Sequence, residues 1–585
     1  MFRGLKFFLK AGWKYDKCYI LWRSFYQIIN SMIPIVSTIM PKFIIDELLG
    51  SQRPEKLVWY IGILLGYVSI ATALSHFFSL DGFTRRCHVS AEFDSDLHAL
   101  LARADFENLE NPDFLDMQEK AKKFLYCDWH GFGYLFDSAL NILGQAMTLL
   151  GIIVVVASLN IWLILVFLLI AALEAWVENG ARKKAMKLSL EASADQRGWM
   201  YYARLFDDFH YGKEIRIHSL GDWLLKRERL YFTRVNRNLK EQNDAYIRSG
   251  IMNTVFTAAQ QLASYVYLVY RVTVGTLSIG SFTMYVAAVT QFSAALRTVM
   301  DSVVEIRAYD MYYENLNHYL STPARIRVGR GLAVPPGSHE IVFENVGFRY
   351  GESGNWVLRN LNLTIGSGER LAIVGENGAG KSTFVKLLVR LYDPVEGRIL
   401  LDGRDIREID YDQYTALFST AFQDYKLFSF SLKENVALNR PQDAGKVEEA
   451  LRYVGFGGKL DSLPAGIDTP VYKNFDPSGF EPSGGEGQKI ALARALYRDT
   501  PIVILDEPTA ALDPQAEMEL YEHFNEMTGG KTAVYITHRL ASARFCSRIL
   551  VFEDGNISEQ GSHEELMERD GKYAELFAMQ AKYYK

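Results

Sequence analysis

The chain has 585 residues, of which 49% are apolar and 13% aromatic, and its formal net charge is −6. This length allows roughly three to four domain-sized units, and the acidic balance argues against a nucleic-acid partner. The mean hydropathy of −0.03 is that of a soluble protein, but an average can combine a membrane half with a soluble half. The cysteine spacing fits no metal or redox motif, so we expect isolated reduced thiols at Cys18, Cys87, Cys127 and Cys546.

The N-terminal segment MFRGLKFFLKAGWKYDK is basic and aromatic throughout, and it has no small-residue cleavage site of a signal peptide. This composition predicts an amphipathic helix that lies on the cytosolic face of a membrane. A plain soluble helix is the alternative for this segment.

Long stretches without Asp, Glu, Lys or Arg mark the first 320 residues. The longest, Ser138–Leu173, has 36 residues and is interrupted at Ser158–Asn160, which predicts two helices joined by a short outer turn. A helix needs about 20 apolar residues to cross a bilayer, and a buried soluble helix could explain one such stretch but not all of them. We therefore predict an all-α membrane domain at 1–320 with six spanning helices at about 20–46, 57–80, 134–158, 160–180, 249–273 and 278–300.

Two long hydrophilic connections, 81–133 and 181–248, separate these spans and are predicted to be helical. The second contains 15 Lys and Arg residues between Arg182 and Arg248, whereas the loops at the other ends of the spans contain almost none. By the positive-inside rule, both connections, the N-terminus and everything after residue 300 lie in the cytosol. The sequence thus predicts a multi-pass protein of the cell membrane, such as a bacterial inner or plasma membrane.

Two of the predicted spans carry polar residues at every third or fourth position, which places those residues on one helix face. Such a stripe fits the lining of a substrate path, and it fits equally well hydrogen bonding between helices inside the bundle. The sequence leaves both interpretations open for Asp137, Asn141, Gln145 and Thr148 in one span and for Asn253, Thr257, Gln260 and Ser264 in another.

The composition changes after Pro323, where we predict a linker at 321–338 and a nucleotide-binding domain at 339–585. The segment HEIVFENVGFRY alternates as a strand, and a second apolar strand, Leu371–Val374, leads into GENGAGKST. This glycine loop matches G-x-x-x-x-G-K-[ST], in which backbone N–H groups and a helix start surround phosphate oxygens. In this pattern Lys381 reaches the β- and γ-phosphates and the hydroxyl of Ser382 ligates Mg²⁺.

Two further strands are predicted to deliver catalytic side chains to the same domain. The strand IVILDEP ends in two carboxylates, Asp506 and Glu507. One of them can orient Mg²⁺ through its water shell, and the other can polarise a water that attacks the γ-phosphate. The strand AVYITHR delivers His538. A single histidine at a strand end is usually structural, but after a complete phosphate loop and acidic strand we interpret His538 as a γ-phosphate contact.

This set of motifs resembles the ATP-binding cassette (ABC) exporters, specifically half-transporters in which six membrane helices precede one α/β P-loop ATPase domain. The resemblance covers essentially the whole chain, with the motifs in the family's order. It implies that Tyr350 stacks on adenine, that Gln423 senses Mg²⁺ and faces the membrane domain, that Glu507 is the catalytic carboxylate and that His538 is the switch histidine. It also places family coupling helices near 105–118 and 206–217.

The resemblance further implies which residues bind the cofactors ATP and Mg²⁺. The metal would be held by Ser382, Gln423 and Asp506. The nucleotide would be bound by the Walker A loop, the signature PSGGE and single residues, namely Tyr350, Gly375, Asn377, Gly378, Ala379, Gly380, Lys381, Ser382, Thr383, Gln423, Ser483, Gly484, Gly485, Glu486 and Asp513.

The resemblance also implies a mechanism in which two cassettes close on two ATP molecules, each held between one Walker A loop and the partner's signature. One chain has a single copy of each element, so it must work as a dimer. Because Glu507 and His538 are intact, a homodimer is slightly favoured over a heterodimer. The expected activity is ATP-driven export of an amphipathic peptide, drug-like molecule or lipid; the alternatives are an ATP-gated channel or regulatory protein and an exporter-fold importer.

The signature departs from the family pattern, which begins with leucine, ends with glutamine and is followed by an arginine. Those positions hold Pro482, Glu486 and Lys489. The sequence from Ser483 to Glu486 is itself a capping box, S-x-x-E, so we expect the local helix start to survive. Glu486 adds a negative charge near the partner's γ-phosphate, and Pro482 removes one backbone donor.

Overall fold

The computed structural model of the protein describes residues 3–126, 133–208, 211–322, 324–326, 331–351, 354–508 and 529–583. The described residues form two compact units, one within 1–104 and 108–323 and the other within 105–107 and 324–585.

The described part of the first unit is helical. Polar caps mark several helix starts, because a side-chain oxygen satisfies a backbone N–H that has no partner inside the helix. Asp16 accepts a hydrogen bond from the N–H of Tyr19, and Asn160 accepts one from Trp162. In chain order the helices are α1 (Arg3–Tyr15), α2 (Lys17–Leu49), α3 (Pro54–Arg103), α4 (Phe106–Glu110), α5 (Pro112–Tyr126), α6 (Gly133–Leu159), α7 (Ile161–Glu191), α8 (Ser193–Asp207), α9 (Gly212–Ile217), α10 (Gly221–Thr273) and α11 (Ile279–Leu320).

Each predicted span falls within one long helix, and the predicted break after Ser158 is present, since α6 ends at Leu159 and Asn160 caps α7. Within the described residues, α2, α3, α6, α7 and α11 are long and apolar enough to cross a membrane by length and composition. Helix α10 is not among them, because polar residues such as Asn253 and Gln260 interrupt its apolar half. The span at 249–273 therefore stays a prediction.

The N-terminal segment forms the predicted helix α1, but one side of it is buried in protein. Phe8 is fully buried and packs against Phe136 with ring centroids 5.6 Å apart. The backbone N–H of Gly4 donates to Oδ1 of Asp310 at 3.0 Å, which ties the start of α1 to α11. Burial of Phe8 and this hydrogen bond anchor α1 to the helical unit, and its place on a membrane surface stays a prediction.

Hydrogen bonds between helices account for several residues of the polar stripes. Thr148 donates to the carbonyl of Ser31 at 2.8 Å, and Gln260 donates to the hydroxyl of Ser293. Asp137 forms ion pairs with two arginines of other helices, Arg23 at 2.7 Å and Arg86 at 3.3 Å. In this conformation these stripe residues join helices within one chain, which supports the second of the two interpretations for them.

The second unit is built on two sheets. One is antiparallel, with strand order β2-β1-β4-β5, and the other has the order β10-β9-β3-β8-β7-β6 and is parallel except for β10. The strands are β1 (Ile341–Arg349), β2 (Trp356–Ile365), β3 (Arg370–Gly375), β4 (Glu396–Leu401), β5 (Arg404–Asp405), β6 (Phe418–Ala421), β7 (Ile502–Asp506), β8 (Thr532–Ile536), β9 (Arg548–Glu553) and β10 (Asn556–Gly561).

Helices cover the parallel sheet of this unit. Its strands β7 and β8 are buried along their whole length, as expected for a parallel sheet covered on both faces. The helices are α12 (Lys381–Leu388), α13 (Tyr411–Ala416), α14 (Leu432–Ala437), α15 (Ala444–Tyr453), α16 (Gly457–Ser462), α17 (Gly484–Arg498), α18 (Leu540–Ala543), α19 (His563–Glu568) and α20 (Lys572–Tyr583).

The order of the parallel strands decides which loops meet. Strand β8 lies between β3 and β7, and Ile536 is in register with Ile373 on one side and with Asp506 on the other. The carboxyl ends of the three strands therefore lie side by side, which is where ligands bind in open α/β sheets. The glycine loop, the two carboxylates and His538 all follow these ends.

Candidate functional site

The glycine loop after β3 has the geometry that a phosphate-binding backbone needs. Gly375 has φ +148°, and a Cβ there would lie 2.3 Å from the carbonyl oxygen of Phe552. Gly380 has φ +99° and directly precedes α12, and a Cβ there would lie 2.7 Å from Leu358. Glycine is required at both positions because a side chain would be strained and would clash. The loop thus presents the N-terminus of α12 with its free N–H groups.

Lys381, the first residue of α12, folds back over the loop. Its Nζ donates to the carbonyl oxygens of Gly375 at 2.9 Å and Glu376 at 2.8 Å. Burial lowers the pKa of Lys381, and the negative charges of Glu507 and Asp506 oppose that shift. A buried cation is therefore positioned within electrostatic reach of both carboxylates at the end of β7.

Three of the predicted residues meet at the carboxylate of Glu507. Nε2 of Gln423 donates to its Oε2 at 2.6 Å, and Nε2 of His538 lies 2.7 Å from its Oε1. Glu507 has φ +49°, an uncommon conformation for a non-glycine residue, and its own N–H donates to the carbonyl of Ile536 at 3.0 Å. One carboxylate oxygen of Glu507 is thus held by Gln423 and the other by His538.

The preceding residue, Asp506, is the more deeply buried carboxylate. Burial, together with the negative charges of Glu507 and Asp424, raises the pKa of Asp506 to about 6, against the opposing effect of Lys381. A cation near Asp506 would relieve this unfavourable environment. Ser382 is exposed beside the loop. A carboxylate and a hydroxyl are hard oxygen ligands of the kind Mg²⁺ uses together with substrate phosphates, so this donor set fits Mg²⁺.

Tyr350 follows β1 and stands beside the helix that the glycine loop opens. Its hydroxyl lies 3.0 Å from Oγ1 of Thr383. Its ring makes edge-to-face contacts with Phe348 and Tyr392, at centroid distances of 5.0 and 5.5 Å. With 38% of the residue still exposed, the ring can be contacted by a planar ligand.

The signature forms the predicted capping box at the start of α17. The N–H of Ser483 donates to Oε2 of Glu486 at 2.8 Å, and the N–H of Glu486 donates to the hydroxyl of Ser483 at 3.3 Å. Glu486 also pairs with Lys459 at 3.1 Å. Burial works to raise the pKa of Glu486, but the hydrogen bonds from Ser483 and the pairing with Lys459 outweigh it and lower that pKa. The charge of Glu486 is therefore largely compensated within the chain.

Pro482 is harmless to this helix start, because it precedes the capping residue and its missing N–H has no role in the helix. The next turn is closely packed: the hydroxyl of Tyr425 donates to the carbonyl of Gly484 at 2.9 Å and would lie 2.7 Å from a Cβ at residue 487. Gly487 is thus needed for the close approach of Tyr425.

The structure brings some predicted residues together and leaves others apart. Gln423, Glu507 and His538 share one network, and Tyr350 joins Thr383 of the loop. In the part of the chain that the structure describes, no hydrogen bond or ion pair joins the signature to the glycine loop. Ala379 is buried, whereas Asn377, Gly378 and Ser382 are exposed, and Asp513 lies outside the described residues.

Two contacts of the site could not be predicted from the sequence. Lys459, which pairs with Glu486, belongs to α16, and no local pattern links it to the signature. Nε2 of Gln488 donates to the carbonyl of Glu507 at 2.9 Å, which ties α17 to the end of β7. Only the position of Gln488 in the first turns of α17 could have suggested that contact.

Known proteins resemble this chain over both of its units. The family description "ABC transporter" matches residues 358–510. The subtilin transport ATP-binding protein SpaT of Bacillus subtilis is 28% identical over 564 residues, covering 94% of this chain and 90% of the relative. An ATP-dependent lipid A-core flippase of Alkalilimnicola ehrlichii is 33% identical over 449 residues, covering 74% of this chain and 73% of the relative.

The fold has a close counterpart among solved structures. A bacterial Atm1-family ABC exporter with ATP bound superposes with a TM-score of 0.81 at 22% identity, covering 97% of this chain and 98% of the other. This likeness confirms the predicted fold class, a helical unit followed by an α/β ATPase. The 33% identity to a lipid A-core flippase over 73% of that relative, together with the glycine loop and the paired carboxylates, shows that the chain belongs to the ABC transporter family, among the exporters.

Proposed function

We propose that two copies of this chain export an amphipathic substrate, such as a peptide, a drug-like molecule or a lipid, out of the cell by alternating access. The chain is an ATP-hydrolysing exporter by family. Relatives named for subtilin transport and for flipping lipid A-core support export over the gating of a channel. We further propose that the nucleotide-binding unit lies in the cytosol, on the side of the basic connections.

In this proposal the residues at the carboxyl ends of β3, β7 and β8 divide the work of ATP hydrolysis. Lys381 and the N–H groups at the start of α12 bind phosphate oxygens. Glu507 accepts a proton from the attacking water, while Gln423 and His538 hold its two carboxylate oxygens in place. When bound, Mg²⁺ neutralises phosphate charge, and Ser382, Gln423 and Asp506 are the residues that would hold it.

The arrangement of the signature supports a site shared between two chains. Ser483 and Glu486 satisfy each other's backbone N–H groups, and Lys459 compensates the charge of Glu486. The start of α17 is therefore a stable, preformed surface that makes no bond to the glycine loop of its own chain within the described residues. We propose that this surface completes the ATP site of the second copy, where Lys459 offsets part of the charge that Glu486 brings near a phosphate.

The single observation that carries the ATPase role is the position of Glu507, held by Gln423 and His538 at the end of β7. Glu507→Gln should lower steady ATP hydrolysis by about 100-fold or more, because general-base catalysis contributes about 10²–10⁴ in rate. The variant should still bind ATP, since the glycine loop is untouched. Glu553→Gln, at the exposed end of β9, is the matched control and should hydrolyse ATP at the original rate. Unchanged hydrolysis by Glu507→Gln would remove this role from the carboxylate.

Transport itself needs a separate experiment. Inside-out vesicles that contain the protein should accumulate a fluorescent amphiphile only when ATP is present, and Glu507→Gln should abolish the accumulation. Uptake that equilibrates without ATP hydrolysis would instead identify a channel.

A further inference from the structure

Six charged side chains gather where α7 and α11 pack beside α10. They leave the cluster acidic, because four carboxylates face two guanidinium groups. Charged groups are costly within a membrane-spanning bundle and mark functional sites there. The members are Glu174, Glu178 and Arg182 on α7 and Arg297, Asp301 and Glu305 on α11.

The two arginines of this acidic cluster are already engaged. Arg182 lies 3.0 Å from Glu178 and 3.4 Å from Glu305, and Arg297 lies 3.8 Å from Asp301. Glu174 is only 7% exposed and accepts one hydrogen bond, from the hydroxyl of Thr257 at 2.9 Å. No Lys, Arg or His of the described ranges forms an ion pair with it. Among the described residues, Glu174 is thus a buried carboxylate without an ion-pair partner.

Beside the cluster, α10 contributes a buried amide oxygen that has no hydrogen-bond partner among the described residues. Ser249, Asn253 and Thr257 are spaced by four residues on α10 and share one face. Ser249 donates to Glu178 at 2.6 Å and Thr257 donates to Glu174, so Asn253 lies level between the two carboxylates. Asn253 is 1% exposed, and its Oδ1 accepts no hydrogen bond from any described residue.

The cluster therefore presents a buried carboxylate, Glu174, with one hydrogen bond and a buried amide oxygen, Oδ1 of Asn253, with none from the described residues. A buried polar group without a partner is costly, and a buried charge without a partner costs far more. A primary ammonium carries one positive charge and three N–H donors, which matches the carboxylates of Glu174 and Glu178 and the amide oxygen of Asn253. A single proton offers only one donor. Among the described residues no cluster of His, Cys, Asp and Glu has the grouping of a metal site.

We propose that Glu174, Glu178 and Asn253 bind a primary ammonium group of the transported substrate. This inference rests on the proposed export function and narrows its substrate class to amphipathic amines. The carboxylates of Glu174 and Glu178 attract the positive charge of the amine, and Oδ1 of Asn253 accepts a hydrogen bond from it. The apolar part of the substrate contacts the surrounding helices.

The test uses the full-length protein in lipid nanodiscs and a fluorescent probe pair that differs in one group. Dansylcadaverine has a dansyl ring on a five-carbon chain that ends in a primary ammonium, and its N-acetyl derivative is neutral. The original protein should bind dansylcadaverine on the order of tenfold more tightly than the N-acetyl probe, because hydrogen bonds to charged groups contribute about 1.5–3 kcal/mol. Empty nanodiscs correct for partition into lipid.

Variants assign the effect to the cluster. Glu174→Gln keeps the shape of the side chain and should remove most of the preference for the amine, and Asn253→Leu should weaken amine binding severalfold. Binding of the neutral probe should be unchanged in both variants. Glu241→Gln, at an exposed position nearer the N-terminus of α10, is the matched control and should keep the full preference.

Equal binding of the two probes by the original protein, or a full amine preference in Glu174→Gln, would overturn the inference. So would a shifted pH dependence of ATP hydrolysis in Glu174→Gln with unchanged amine affinity, which would identify a proton site instead. The exporter proposal is tested independently, since ATP-dependent accumulation of the N-acetyl probe in vesicles would persist if only the amine site were wrong. Loss of accumulation for every probe would instead refute export.

Discussion

The family pattern has a glutamine where this chain has Glu486. The capping box at the start of α17 predicts how the stability of this turn changes when Glu486 is replaced by glutamine or by alanine. In Glu486→Ala, α17 loses the acceptor for the N–H of Ser483 and the pairing with Lys459. Capping interactions contribute about 1 kcal/mol each. The ion pair adds less than about 1 kcal/mol, because the side chains of Lys459 and Glu486 are 36% and 25% exposed and water screens them. The total is about 1–2 kcal/mol against local opening.

Hydrogen exchange of the first turn of α17, Gly484–Gly487, measures this local opening directly. Exchange there should be about 5- to 30-fold faster in Glu486→Ala than in the original protein, since 1–2 kcal/mol corresponds to that range. Glu486→Gln should be less than about 5-fold faster, because glutamine still completes a capping box and only the ion pair is lost.

A second capping box in the same unit supplies the control. Ser562 and Glu565 cap α19 in the same way, so Glu565→Ala should accelerate exchange there and leave Gly484–Gly487 unchanged. Equal acceleration by Glu486→Gln and Glu486→Ala would refute the reasoning, because it would show that the ion pair with Lys459, and not the cap, holds the turn.

Three further outcomes follow from the structure. Gly375→Ala should abolish ATP binding, measured with a fluorescent ATP analogue, because its Cβ would clash with the carbonyl of Phe552; retained affinity would contradict the close approach. Asp137→Asn should lower the thermal stability of the protein, because Arg23 and Arg86 lose a largely buried partner and breaking a fully buried pair costs about 3–5 kcal/mol; an unchanged melting temperature would contradict it. Removal of Mg²⁺ with EDTA should stop ATP hydrolysis, and excess Mg²⁺ should restore it, whereas full hydrolysis in EDTA would contradict the assigned donor set.

Local patterns predicted much of the ATPase unit. The strand, glycine loop and helix around Gly375 and Lys381 could be predicted because their backbone conformation depends on residues that are adjacent in the sequence. The capping box of Ser483 and Glu486 is a four-residue pattern, and the structure confirms it. The order of the strands could be inferred only through the resemblance to the family.

Contacts between distant segments could not be read from the sequence. The pairing of Lys459 with Glu486 depends on how α16 packs beside α17, and no spacing rule connects them. The polar stripe on α10 was visible, but periodicity alone could not show that Thr257 and Gln260 have partners while Oδ1 of Asn253 has none within the described ranges. Tertiary packing determines which polar groups have hydrogen-bond partners. The groups that it leaves without partners are the basis of the proposed amine site.

Mixed dimers can show whether the signature of one copy completes the ATP site of the other. Two differently tagged copies, both with Glu507→Gln to retain ATP, are expressed together, one with Lys381→Ala and the other with Ser483→Arg. Dimers isolated through both tags should retain one ATP, because the intact glycine loop of one copy meets the intact signature of the other. Dimers of either variant alone should retain none. Mixed dimers without ATP, or two copies that do not purify together, would contradict a site shared by two copies of this chain.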